Sequence, residues 1–394
     1  MNPDLNLLQA YPFEKLRTLF SDITPPQDKS AIALSIGEPK HAAPQFVLNT
    51  LIESLNSIGQ YPATAGTDPL RDAIGNWLKK RFHLQHIDRS NIIPVNGTRE
   101  ALFAIAQASI DRSKAGYVVY PNPFYQIYEG ATLLAGATPI LVDCDETSGL
   151  ANFDTVTDAQ WQQTQLLYLC SPNNPTGAVM PIEQLQALIN KAQQYDFVIA
   201  ADECYSEIYY DEAKPPVGLL EAATAMGNHD FKQCLVFHSL SKRSNLPGLR
   251  SGFVAGDANI IASFLKYRTY HGCSMSVPTQ LSSAAAWQDE THVQHNRELY
   301  RQKFDTFAKV LYGSLDIRIP DASFYLWPKL PVSGEVFAKR LYAEHNIVVL
   351  PSAYLARENN GKIPATDRVR MALVAEVSVC QEAAERIKTL VATL

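Results

Sequence analysis

Seven short apolar runs set the frame of this chain: "NIIPV", "GYVVY", "TPILVD", "QLLYLC", "DFVIAAD", "CLVFHS" and "GFVAG", all between residues 91 and 256. They are rich in β-branched and aromatic residues and show no polar alternation, the pattern of strands buried on both faces. Helical spacing lies between them. In "QFVLNTLIESLNS" (45–57), Phe46, Val47, Leu48, Leu51, Ile52 and Leu55 fall on one helical stripe, and similar patterns recur at 68–82, 98–110, 181–195 and 256–267. Buried strands alternating with helices predict an α/β fold with a doubly wound, mainly parallel sheet, assigned to a large domain over 45–275. Beyond about 280 the texture changes. A helical region (280–312) is followed by "SFYLW", a helix near 334–345, "IVVLP", "RVRMAL" and a final helix, which predicts a smaller α+β domain over 276–394. Residues 1–44 are too few for a domain and are expected to pack on the small one.

The totals exclude several classes. Hydrophobic residues make up 46% and charged residues 19% of 394, which fits a packed globular chain with more than one core. The net charge of -6 is interleaved without a basic run, so no nucleic-acid partner is expected. No apolar stretch approaches the ~20 residues of a membrane helix, so no membrane partner is expected either. The start "MNPDLNLLQAYPFEKL" lacks the basic-then-apolar order of a secretory signal. Cys144, Cys170, Cys204, Cys234, Cys273 and Cys380 are far apart, without CxxC or paired Cys/His spacing. They read as free thiols of a reducing cytoplasm. The histidines form neither HxxxH nor HExxH, so no metal is expected.

Ligands of an open α/β sheet bind beyond the carboxyl ends of its strands. Five strand ends here carry polar or aromatic clusters. "NIIPV" leads to Gly97-Thr98-Arg99, which opens a helix and can offer backbone N–H groups to an anion, or can be an ordinary capped helix start. "PNPFYQIYEG" follows "GYVVY" with Tyr125, a ring for a site or for the core. Asn174 in "SPNNPTG" is a ligand or a turn residue. Asp202 closes an apolar strand, where a carboxylate needs a cation or donors unless it is a helix cap, and Tyr205 lies one turn on. "HSLSKRSNLPGLRSGF" sets Ser239, Ser241, Lys242 and Arg250 after the sixth run. A lysine closing a buried strand either snorkels to solvent or is used chemically.

In this order, "SPNNPTG", "DECYSE" and "SLSKRSNLPGLRSGF" resemble the class I/II, fold-type-I pyridoxal-phosphate aminotransferases. "SIGEP", "YPATAG", "FYLW" and "RVRMAL" extend the likeness over essentially the whole chain. The resemblance implies pyridoxal 5'-phosphate as cofactor and Lys242 as its Schiff-base lysine and proton carrier. It implies Asp202 at the pyridine nitrogen, Tyr205 and Asn174 at the phenolic oxygen, and Tyr125 stacked on the ring. The phosphate would lie among the Gly97–Thr98–Arg99 backbone, Ser239, Ser241 and Arg250. Tyr61 holds the place of a tyrosine that reaches this phosphate from a partner subunit, which implies a homodimer with composite sites. Arg370 matches the residue that forks the substrate α-carboxylate, with Arg368 a competing candidate, and Gly37 would let backbone approach the substrate. Ser323 and "IPA" at 363–365 depart from the common pattern without touching these roles.

Within the family, "YPFEKL", "GTREALFA", "PNPFYQIYEGA", "YRTYHG" and "NRELYRQKF" resemble the proteobacterial N-succinyldiaminopimelate aminotransferases. That implies amino exchange between N-succinyl-L,L-2,6-diaminopimelate and 2-oxoglutarate in lysine biosynthesis. Both substrates carry a second carboxylate, for which Arg268, His271 and the N-terminal "YPF" are candidate receivers. Another amino acid aminotransferase, or a carbon–sulfur lyase of the same fold, shares Lys242, Asp202 and Arg250. A regulatory module built on this fold would need a further DNA-binding domain.

Overall fold

The computed structural model describes residues 1–394. Strand β1 (Ile32–Ala33) precedes seven strands that coincide with the seven apolar runs: β2 (Ile92–Val95), β3 (Tyr117–Asn122), β4 (Thr138–Asp143), β5 (Thr164–Cys170), β6 (Val198–Asp202), β7 (Cys234–Ser239) and β8 (Gly252–Gly256). They form one sheet in the order β2-β8-β7-β6-β5-β3-β4. All neighbours are parallel except those of β8, which runs antiparallel to both β7 and β2. This one reversal matters for the site. Ser239 pairs with Gly252, so the chain that leaves at the carboxyl end of β7 re-enters the sheet at the same edge.

Strands without polar alternation need cover on both faces, and the sheet has it. One face buries Val119, Leu167, Leu169, Ile199 and Val236 with the helices Asp68–Arg81 and Ile182–Tyr195. The other buries Val118, Leu166, Tyr168, Leu235 and Val254 with the helix Thr98–Ser109. Fully burying each such aliphatic side chain is worth about 1.5–3 kcal/mol, which makes the sheet a stiff platform for the loops at its ends.

The C-terminal part holds β9 (Tyr325–Leu326), β10 (Ile347–Val348), β11 (Leu350–Pro351) and β12 (Val369–Ala372). An antiparallel sheet runs β11-β12-β9, and β1 pairs in parallel with β10. Ile32 and Leu34 sit in the same core as Phe337, Leu341, Ile347 and Ile387, so the β1 stretch is built into this part, whereas Pro3–Leu7 packs against the helix Ile127–Leu134 beside the large sheet. The helix Val277–Gln288 places Ala284, Ala286 and Trp287 in the core of the large sheet instead. The change from one core to the other therefore falls at residues 289–290, between this helix and the long helix Thr291–Leu311, rather than at 275.

Candidate active site

A cavity of about 630 Å³ opens at the carboxyl ends of the central strands, between the two cores. Lys242 stands in it on a short helix, Leu240–Arg243, that follows β7 directly. Its Nζ donates to the Gly37 carbonyl at 2.5 Å. Burial pulls its pKa down to about 8, helped by the nearby Arg370 and Arg99. At pH 7 roughly a tenth of such an amine is uncharged and nucleophilic, far more than of an ordinary lysine.

Asp202, the last residue of β6, is buried at the cavity floor. Its oxygens accept from the Tyr128 hydroxyl at 2.8 Å and the Cys204 amide at 3.3 Å, not from a cation. Burial pushes its pKa up, and these two donors only partly offset that. A cationic partner in the cavity would bring the pKa back down. Tyr205 turns its hydroxyl to that of Tyr325 at 3.1 Å, and burial holds the phenol well above its usual pKa, so it remains a donor.

The next group is shaped to take an anion. The helix Thr98–Ser109 begins without a side-chain cap, leaving first-turn N–H groups free. Its N-cap, Gly97, has φ +85, a left-handed conformation that favours glycine, and its lack of a Cβ lets the Arg250 guanidinium lie against it. Arg250 itself adopts a left-handed backbone (φ 53) and anchors to the Pro247 carbonyl at 2.9 Å, which turns its guanidinium back toward Gly97. Ser239 caps the Lys242 helix by accepting from the Ser241 amide at 3.1 Å, and both serines line the cavity beside Thr98.

On the opposite wall, Arg370 from β12 donates to Asn174 Oδ1 at 2.9 Å and to the Ser35 carbonyl at 2.8 Å, lying 4.4 Å from the Tyr325 ring centroid. Its Nε is buried without a partner. Gly37 lies against Tyr325, where a Cβ would meet the hydroxyl at 2.1 Å. Arg368 is turned away. It donates to the Trp327 and Glu146 carbonyls, both at 3.0 Å, and lies outside the cavity.

Three further candidates are not in this cavity. Tyr61 is fully exposed. Arg268 is buried and consumed by Glu100 at 2.8 Å. His271 sits at the exposed end of the same helix, beside Tyr267. Of the "YPF" segment, Tyr11, Pro12 and Phe13 all line the mouth.

Three side-chain roles at or under the cavity had no place in the sequence reading, which gave Arg99 only a backbone part. The Arg99 side chain reaches into the cavity and donates from Nε to the Tyr125 hydroxyl at 2.6 Å. Tyr128 holds Asp202 from one helical turn beyond Tyr125. The aromatic spacing in "FYQIY" was the available signal, but nothing in it named the partner. Cys204 packs its thiol 3.0 Å from Thr98 Oγ1 under the floor.

A primary amine at low pKa, a buried carboxylate lacking a cation, a phenol donor and an uncapped helix start facing an arginine together suit a planar, cationic, phosphorylated aldehyde. The class so defined is that of lysine-anchored, pyridoxal-dependent enzymes. The chain belongs to the aminotransferases of class I and II, whose family model matches residues 29–387, and the cofactor of that family is pyridoxal 5'-phosphate. An aminotransferase from Neisseria meningitidis is 45% identical in sequence, with a TM-score of 0.96 over 99% of this chain and 100% of that one. The LL-diaminopimelate aminotransferase of Maridesulfovibrio salexigens is 28% identical over 98% of each chain. A probable N-succinyldiaminopimelate aminotransferase from Thermus thermophilus is 25% identical, with a TM-score of 0.84 over 96% of this chain and 98% of that one.

Proposed function

We propose that the chain transfers the amino group of N-succinyl-L,L-2,6-diaminopimelate to 2-oxoglutarate in lysine biosynthesis. One observation carries this reading beyond the family. Four cations line a single cavity: Lys242, Arg250, Arg370 and Arg99. In this reading the first two serve the cofactor and Arg370 takes the α-carboxylate, which leaves Arg99 at the mouth for a second carboxylate. A diacid acceptor such as 2-oxoglutarate requires such a receiver. The donor must fit the same cation. N-succinylation replaces a distal ammonium by a neutral amide and adds a carboxylate, so the succinylated donor suits Arg99 better than free L,L-diaminopimelate does. A second reading, in which the free diamine is the donor, is favoured by Glu38, a carboxylate that also lines the cavity and could take an ammonium.

The bound cofactor supplies the electron sink and holds the amino group between half-reactions. The chain supplies the rest. Lys242 Nζ, beside the Gly37 carbonyl, takes and returns the proton at the substrate Cα. Asp202 would keep a proton on the ring nitrogen, because a buried carboxylate is ionised most cheaply beside a cation. The Tyr205 phenol and the Asn174 amide would donate to the ring oxygen. Tyr125 would pack against the ring. The Gly97–Arg99 amides, Ser239, Ser241 and Arg250 would hold the phosphate. Arg370 orients the substrate, its guanidinium already fixed by Asn174 and Ser35 so that little entropy is lost on binding.

We assign residues 1–44 and 290–394 to a small domain that covers this site, and 45–289 to the cofactor-binding domain. A homodimer completes the reading. Ile52, Leu55, Ile58 and Tyr61 expose a run of apolar side chains that a second copy would bury. Mixing a Tyr61→Ala chain with a Lys242→Ala chain should restore about a quarter of the sites, all in mixed dimers; no recovery would argue against shared sites.

The deciding assay supplies 2-oxoglutarate with the succinylated donor, free L,L-diaminopimelate or N-acetylornithine, and measures glutamate. The highest kcat/KM should belong to the succinylated donor. Arg99→Gln should lower kcat/KM for it about 10–100-fold while leaving an L-alanine half-reaction nearly unchanged. A preference for the free diamine, or an equal loss with both donors, would overturn the assignment.

A further inference from the structure

Behind Lys242, on the side away from the cavity, lies a chain of polar groups, buried except for the half-buried His41, that the proposed chemistry does not use. Asn296, on the long helix Thr291–Leu311, donates from Nδ2 to the backbone carbonyls of Lys242 at 3.2 Å and Arg243 at 3.3 Å. Its Oδ1 accepts from Asn245 Nδ2 at 3.0 Å and lies 2.7 Å from His41 Nδ1. The other ring nitrogen, His41 Nε2, lies 2.5 Å from Lys303 Nζ. Lys303 also donates to the Val374 carbonyl at 3.2 Å. Asn296 and Lys303 are almost wholly buried.

The hydrogen bonds fix one another's direction. Asn296 must present its oxygen to His41, because its nitrogen is spent on two carbonyls. His41 Nδ1 therefore carries hydrogen. A neutral ring then leaves Nε2 as an acceptor, which the Lys303 ammonium satisfies. If the ring were protonated at both nitrogens, Lys303 would have to be neutral to accept. The pair therefore holds a single positive charge. Burial lowers both groups' pKa, that of Lys303 to about 8. Glu376 acts on both groups. Among the other titratable neighbours, His295 faces His41 from the helix that carries Asn296, Cys380 faces Lys303 from the C-terminal helix, and Tyr300 packs on both.

The chain's course gives the network a task. His41 stands four residues after Gly37, whose carbonyl receives the Lys242 amine. Lys242 is thus held twice: at Nζ by Gly37, and at its own carbonyl by Asn296. Both supports meet at the His41–Asn296 contact, which joins segment 37–41, the helix Leu240–Arg243 and the helix of the small domain.

We propose that His41, Asn296 and Lys303 form a one-proton clamp that sets the position of the Lys242 amine, and so are positioning residues for its proton transfers. This rests on Lys242 carrying the cofactor. Around Lys242 itself the charged groups are Arg370, Arg99 and Glu38, with the Cys204 thiol; none belongs to the clamp. A loosened clamp would admit water to the Lys242 nitrogen, and water favours the protonated form of that nitrogen both as the free amine and when joined to the cofactor.

The test uses the holoenzyme of four variants: His41→Leu, His41→Asn (polar but too short to span both contacts), Asn296→Ala and His41→Gln, which keeps one donor and one acceptor. For each, the pH midpoint of the visible absorption change of the bound cofactor and the melting temperature are recorded. The clamp requires that His41→Leu, His41→Asn and Asn296→Ala move the absorption midpoint upward by about half a unit or more, and that His41→Gln restore it. An unmoved midpoint with a lowered melting temperature in every variant that folds would overturn the clamp, because a purely structural role predicts that pattern. Borohydride fixation of the cofactor, mapped by peptide analysis, separates the two layers. Label on Lys242 with an unmoved midpoint removes the clamp alone; label on another lysine removes the reading beneath it.

Discussion

Two lysines of this chain are held at about the same lowered pKa, near 8, and for the same first reason, burial. Lys242 lines a 630 Å³ cavity and has one hydrogen-bond acceptor, the Gly37 carbonyl. Lys303 is sealed in the small-domain core against His41 and the Val374 carbonyl. A perturbed pKa therefore does not mark a reactive group by itself. Access and an incomplete hydrogen-bond set distinguish the two. Lys303 has nowhere to send a proton except His41, whereas Lys242 faces open space beside an unpaired carboxylate, an anion cradle and an arginine fork.

The largest expected contrast is chemical. Lys242→Ala should lower transamination by at least about 10³-fold and abolish borohydride-stable attachment of the cofactor, while Lys303→Ala should leave the label on the Lys242 peptide. Label on Lys303 in the wild type would erase the distinction. Next in size is the buried carboxylate that the proposed reading sets against the cofactor. Asp202→Asn keeps the shape and the Cys204 contact but removes the charge, and should lower kcat by about 10²-fold or more with cofactor still retained after gel filtration. Full activity in that variant would mean that the buried carboxylate serves only as a cap for the following turn.

How much of this contrast the sequence could carry depends on range. The seven strands were legible because each is a short, mainly apolar run without polar alternation; β7 and β8 are buried throughout, whereas the edge strand β4 is mostly half-buried. Helix ends were less so. The pattern expected to stop at 267 continues to His271, where Gly272 in the left-handed region ends it. The stripe over 45–57 breaks after Glu53 into a tighter turn. Asp202 and Lys242 stood out because they close or directly follow a buried strand, whereas the role of Arg250 came with the family resemblance. Arg268 and Arg99 could not be told apart in that way. Both are basic residues near aromatic ones, and what separates them is that Glu100, 168 residues from Arg268, pairs with it and removes it from use. Tyr128 and the His41–Asn296–Lys303 chain escaped for the same reason: each depends on a partner distant in sequence, and no local periodicity encodes it.

The smallest effect compares the two lysines as stability terms in the apoprotein. For each, the folded pKa lies below the unfolded value of 10.5, so between about pH 8 and 10.5 the unfolded chain binds more protons and stability rises with pH. Below pH 8 each buried ammonium weakens the fold, by on the order of 3 kcal/mol on the size of the shift. Lys242→Met removes that penalty and orphans only the Gly37 carbonyl at a cavity wall. It should raise the melting temperature of the apoprotein by several degrees at pH 7, with the gain shrinking toward pH 10. Lys303→Met removes a similar penalty but strands His41 Nε2 and the Val374 carbonyl in the core, each worth about 1–3 kcal/mol when unmet. Its melting temperature should be unchanged or lower at pH 7 and clearly below wild type at pH 10. Melting curves at the two pH values suffice. If Lys242→Met is no more stable than wild type at pH 7, the cavity lysine is not strained by burial. If Lys303→Met is the more stable of the two, the sealed lysine is the misplaced one and the contrast runs the other way.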